Sequence, residues 1–222
     1  MENYLRKFWI YLDKNQTIRG LFLVGVVLLG GVGVWEGLRI GLSTEFPILV
    51  VSSGSMIPTL QVGDLIIIRG QDPRTINAGP PPAGSIIVFR PPCCTPSLND
   101  PNYLVVHRVV ELTQDGHFVT RGDNNGGVYD PWDPQFGGPG VPPANVVGVY
   151  QSTIPIPYLG TTILSIRAFM YDDQTGQPRP TGIAVIAALV IALFAVDVIS
   201  PSKKDKKPSP SSASASTLTE PS

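Results

Sequence analysis

Apolar positions are distributed unevenly along the chain. One apolar run covers 20–35 without a break and resumes at Leu38, Ile40 and Leu42; a second covers 182–199. At 1.5 Å per residue, a helix over 20–42 is long enough to cross a hydrocarbon core of ~30 Å, and the second run sits at the short end for a span. Between them the pattern changes. Short β-branched runs at 48–52, 64–69 (DLIIIR), 85–90 (SIIVFR), 103–112 (YLVVHRVVEL), 117–121 and 146–150 are bounded by turn residues. This spacing predicts a mainly β domain. Pro-rich stretches at 70–84, 91–102 and 131–145 read as loops. Residues 158–170 mix apolar positions with Arg167, a pattern that suits both a helix lying on a membrane and a domain edge. The segment 200–222 is Ser, Pro and Lys with almost no apolar content, so disorder is expected.

Charge sharpens the two apolar runs. All six lysines lie near the ends: Lys7 and Lys14 before the first run, Lys203, Lys204, Lys206 and Lys207 after the second. Arg6 and Arg19 join the first group. The positive-inside rule then puts both ends in the cytoplasm and the middle outside. A cleaved signal peptide is the alternative, but Gly41-Leu42-Ser43 is a poor cleavage site. The expected organisation is a cytoplasmic N-terminus (1–19), a transmembrane helix (20–42), an extracytoplasmic β domain (43–180), a second transmembrane helix (181–199) and a cytoplasmic tail (200–222). Glu36 and Arg39, three apart, are set to pair near the far end of the first span. The middle holds seven arginines against eleven acids, the wrong sign for a nucleic-acid partner. Its two cysteines, Cys93 and Cys94, are adjacent, too few for a structural zinc site. No metal or cofactor is expected.

The chemistry turns on what the middle lacks. No lysine occurs between Lys14 and Lys203, so a Ser–Lys dyad is excluded there. Ser55, in Ser53-Gly54-Ser55-Met56-Ile57-Pro58, needs a base if it is a nucleophile, and only His107 and His117 are available. Alternation in 103–112 puts His107 on one face with Tyr103, Val105, Val109 and Glu111. Its apolar surroundings favour a neutral ring. His117 adjoins the Asp115-Gly116 turn, where exposure is expected. A carboxylate must orient the imidazole, and Asp123, Asp130 and Asp133 follow closely. The Ser55 N–H and the Ser53 hydroxyl are the nearest oxyanion donors. Taken singly, each feature has a plainer reading: a Ser-Gly-Ser turn, a strand histidine, a Gly-Asp-Asn-Asn turn or cation loop.

Taken together and in order, these motifs resemble type I signal peptidases of the archaeal and endoplasmic-reticulum type. Residues 53–60 match the serine box, Val62-Gly63-Asp64 the following turn, and His107-Arg108-Val109-Val110 the box in which bacterial members carry Lys-Arg. Thr120-Arg121-Gly122-Asp123-Asn124-Asn125 resembles the aspartate box, and Asn145-Val146-Val147-Gly148 its closing strand. The match covers roughly 20–150. The resemblance implies a curled β-domain on the outer membrane face, anchored by an N-terminal and a C-terminal helix, that removes signal peptides from secretory preproteins after small residues at −3 and −1. It implies Ser55 as nucleophile, His107 as base, and Ser53 with the Ser55 N–H as oxyanion hole. The second family aspartate stands six residues after the first, where this chain has Tyr129. Read as a one-residue insertion, this makes Asp130 the choice for the triad acid, with Asp123 in support, and leaves the order of the two open. Ile57 and Val105 are expected to line the substrate pockets. The lipid bilayer, the signal peptides and the translocation machinery are the implied partners. A repressor-type self-cleaving peptidase is excluded by its need for lysine. The remaining alternative is an inactive membrane-anchored β-module that binds extracytoplasmic partners.

Overall fold

The computed structural model describes residues 16–93, 103–172 and 176–199. The expected tail at 200–222, most of the expected N-terminal segment 1–19, Cys94 and part of the 91–102 loop lie outside the described residues. Helix α1 (Gln16–Leu42) contains the first apolar run, and its Ile18–Leu42 portion is long and apolar enough to cross a membrane. Its side chains face outward on every side, with Leu21, Val27 and Leu29 all more than 70% exposed. Arg39 donates to both carboxylate oxygens of Glu36 at 2.9 and 3.1 Å, the pairing expected from their spacing. Among the described residues no other helix meets the length and composition of a span.

Six strands follow: β1 (Ile48–Val50), β2 (Leu65–Arg69), β3 (Ile86–Phe89), β4 (Val105–Leu112), β5 (Phe118–Arg121) and β6 (Val146–Ile154). They form one sheet in the order β1-β2-β6-β3-β4-β5, and every neighbouring pair is antiparallel. Each expected strand is present. The last runs four residues further than its apolar pattern, because past a register shift at Gln151 the backbones of Ser152, Thr153 and Ile154 pair with β2 on a partly exposed stretch that needs no apolar run. The Pro-rich loops hold short 3-10 turns at Pro73–Thr75, Pro134–Phe136 and Pro143–Asn145. Two further helices close the described chain, α2 (Leu159–Met170) and the apolar α3 (Pro180–Ile199).

The core is split by the sheet. Strand β3 is buried on both faces, and its period of two sends Ile86 and Val88 one way, Ile87 and Phe89 the other. Ile86 and Val88 pack with Val51, Met56, Leu60, Ile66 and Ile68. Ile87 and Phe89 pack with Ile76, Val109, Phe118, Trp132, Val141 and Val149. Phe89 and Trp132 meet edge to face at 5.5 Å, a favoured aromatic geometry. Burying a large aliphatic or aromatic side chain is worth about 1.5–3 kcal/mol. These two clusters therefore fix both the loop that carries Ser55 and the strands that carry its neighbours.

Candidate active site

Ser55 sits in a turn between β1 and β2 whose apolar plugs go into the core. Met56 is 1% exposed and Leu60 fully buried, so the residues on the C-terminal side of Ser55 cannot shift without opening the core. Across from them, the turn after β5 grips the same loop. The Asn124 backbone N–H donates to the Ser55 carbonyl at 2.8 Å, and its side-chain amide donates to the Gly54 carbonyl at 3.0 Å. Gly122 permits this approach: a Cβ there would stand 2.6 Å from the Ser55 carbonyl oxygen.

Strand β4 brings His107 to Ser55. His107 is 8% exposed, and its ring Nε2 lies 3.1 Å from Ser55 Oγ. Its Nδ1 lies 2.7 Å from Asp130 Oδ2, and Asp130 is buried. An ionised carboxylate accepts only, so Nδ1 carries the proton and Nε2 is left to accept from the serine hydroxyl. The line continues past the carboxylate. Thr120 Oγ1 donates to the same Asp130 oxygen at 2.6 Å and accepts from Trp132 Nε1 at 3.0 Å. Thr120 is fully buried. Ser53 Oγ stands 3.3 Å from Ser55 Oγ on the open side.

Asp123 lies in a separate network. It is held by Arg108, whose Nε and Nη2 donate to its two oxygens at 2.8 and 2.6 Å, and by the Thr59 hydroxyl at 2.6 Å. Arg108 also donates to the Gly84 and Pro82 carbonyls at 2.6 and 3.2 Å. Burial pushes the Asp123 carboxyl up. The hydrogen bonds from Arg108 and Thr59, with the charges of Arg108 and Arg121, outweigh that and hold it below its ordinary value. The two acids that the sequence left unordered are thus separated: Asp130 touches the imidazole, while Asp123 ties the β4 backbone to the serine loop through Arg108 and Thr59. His117 is half-buried, and its Nδ1 donates to the Pro139 carbonyl at 2.7 Å. Asp133 caps its own turn by accepting from the Gln135 N–H.

Ser55 and His107 open onto a groove of about 710 Å³. One wall is the Leu49–Ser53 stretch of β1 and its continuation; the other is the 103–106 stretch entering β4. Val105 lines this groove. Ile57 does not; its side chain lies against Gly54. Thr120, Trp132 and Asn124 had drawn no role from sequence. The one available signal was Thr120 itself, a hydroxyl on the same face of β5 as the buried Phe118 and therefore in need of a partner.

No protein-family model matches the chain. The signal peptidase complex catalytic subunit sec11 of Dictyostelium discoideum is 32% identical over 128 residues, covering 54% of this chain and 64% of that protein. Subunit SEC11C of Homo sapiens is 30% identical over 118 residues, covering 51% and 55%, and SEC11 of Tuber melanosporum 30% over 122 residues, covering 52% and 61%. The chain is homologous to these catalytic subunits. They bear the family name that these motifs suggested. The chain spans less than two thirds of the length of these relatives.

Proposed function

We propose that this chain is a membrane-anchored serine endopeptidase that removes signal peptides from secretory preproteins. One observation carries the reading: Ser55, His107 and Asp130 stand in hydrogen-bond contact, at 3.1 and 2.7 Å, at the side of an open groove. The homology to signal peptidase catalytic subunits supports the substrate class.

In the proposed cycle His107 Nε2 takes the Ser55 proton as Oγ attacks the scissile carbonyl. The imidazolium is stabilised by Asp130, which Thr120 and Trp132 hold in place. The oxyanion accepts from the Ser55 N–H and the Ser53 hydroxyl. His107 then protonates the leaving amine, and water, deprotonated by the same ring, releases the signal peptide and restores Ser55. The substrate enters extended, as a strand beside Leu49–Ser53. Small residues at −3 and −1 suit the pockets to which Val105 contributes.

The architecture follows the same reading. The groove is lined from both β1 and the start of β4, although β2, β6 and β3 separate those strands in the sheet; this supports a curled sheet. Helices α1 and α3 serve as the two spans, with 1–19 and 200–222 in the cytoplasm, 43–180 outside, and the translocation machinery nearby as a partner. Anchoring confines enzyme and preprotein to one plane and raises their effective concentration. The test is cleavage of a preprotein by the purified full chain. Ser55→Ala and His107→Ala are each expected to lower the rate by ~10⁴ to 10⁶. Cleavage near the native rate would reject the mechanism in favour of a binding module.

A further inference from the structure

One arginine in the groove has no acid to hold. Arg39, Arg90, Arg108 and Arg179 each pair with a carboxylate. Arg167 does not: among the described residues its guanidinium has no ion-pair or hydrogen-bond partner. The sequence holds no acid between Asp133 and Asp172 that could supply one nearby along the chain. The position of Arg167 is nonetheless fixed by packing. At about 100° per residue, position 167 returns to within about 20° of position 160 on helix α2. Gly160 is the buried contact of that helix, and a Cβ there would run into the Gly63 carbonyl. Arg167 therefore leaves the helix on its domain-facing side, about two turns further on, and reaches the groove that holds Ser55.

The rest of the groove makes this charge matter. Its walls, Leu49–Ser53 and 103–106, carry no charged side chain. The other acid and base in the lining, Asp130 and His107, are buried and bonded to each other. Both walls approach the reacting pair from one side: 49–53 leads to Ser55 and 103–106 to His107. In the proposed cycle Val105 contributes to the pockets for −1 and −3, so the signal-peptide side of the substrate lies along these walls. Helix α2 touches β1, whose residues Ile48–Val50 stand five to seven before Ser55. A substrate strand advances ~3.3 Å per residue, as the wall beside it does, so its side chains about five to seven before the scissile bond lie near Arg167.

We infer that Arg167 is a specificity determinant that selects for an acidic side chain, and against a basic one, at this distance before the cleavage site. The inference deepens the endopeptidase reading and rests on it. A guanidinium offers parallel N–H donors to a carboxylate and repels a second cation. Arg167 is exposed, so each effect is moderate. Acting in opposite directions, they separate an acidic from a basic substrate by about tenfold in kcat/KM.

The test is a charge scan of the substrate against a charge scan of the site. One preprotein is made with Asp, Asn or Lys at each position from −4 to −8, and kcat/KM is measured for the purified full chain in a neutral detergent. The native chain is expected to prefer Asp over Lys by about tenfold at the best position, with Asn between. Arg167→Gln should bring that ratio close to one, and Arg167→Glu should invert it. Because each ratio is taken within one enzyme, a general loss of activity does not imitate the result. A ratio that stays the same in Arg167→Glu would overturn the inference. So would an equal loss on all three substrates, which marks a contact with a lipid or detergent headgroup or a role in the fold. If the native chain cleaves none of the series, the endopeptidase reading falls together with this one; if it cleaves all of them without regard to charge, this inference falls alone.

Discussion

His107 has one carboxylate partner, Asp130, and that partner has its own support. Thr120 donates to the oxygen that the imidazole uses, so Thr120→Val leaves Asp130 Oδ2 short of one donor and the Trp132 N–H without an acceptor. A hydrogen bond to a charged group is worth ~1.5–3 kcal/mol, so kcat/KM should fall by about ten- to a hundredfold. Thr120→Ser should recover most of it; equal loss in both variants would mean the methyl group, not the hydroxyl, matters. Asp123, held by Arg108 and Thr59, is expected to act on stability. Its side chain and that of Arg108 are each 4% exposed, so Asp123→Ala strands a buried guanidinium at a cost of about 3–5 kcal/mol, readable as a lowered unfolding midpoint in detergent. The sign of its pH dependence follows from its depressed value. Ionised Asp123 stabilises the fold above the ordinary carboxylate range, and that stability is lost as pH falls through the folded-state value. The sequence made Ser55 and His107 legible because few other groups could serve. It did not reveal Thr120, which reads as a β-branched strand filler until its neighbours are known.

At the level of elements, the serine loop is held between two structures that do different work. Met56 and Leu60 anchor it to the core, while the turn after β5 sets the orientation of its carbonyls. Gly122→Ala should displace Ser55 through its carbonyl and lower kcat while leaving the fold intact; unchanged kcat would show that the turn yields. Asn124→Ala loses only the side-chain hydrogen bond to Gly54 and should cost less. Strand positions were readable from β-branched runs bounded by Gly and Pro. The polar end of β6 was not, because it extends past its pairing with β3 and is held to β2 through its backbone, which leaves no apolar pattern. Helix α2 stayed ambiguous for a related reason: the sequence carries its apolar positions, but only the Gly160–Gly63 contact tells which side faces the domain.

For the whole molecule, a single sheet brings three distant segments, 53–60, 103–108 and 120–132, together at a groove that β1 and β4 share. Two apolar helices flank it in sequence. If both span the membrane, tags placed at the two ends should resist protease added to sealed, correctly oriented vesicles while the 43–180 portion is digested; a digestible C-terminal tag would leave α1 as the single anchor. The most direct measurement of the central claim is mass spectrometry of the full chain, acid-quenched during turnover of a preprotein. An ester-linked signal peptide is expected on Ser55, absent from Ser55→Ala and from His107→Ala. Turnover with the adduct on another side chain, or continued turnover in Ser55→Ala, would contradict it.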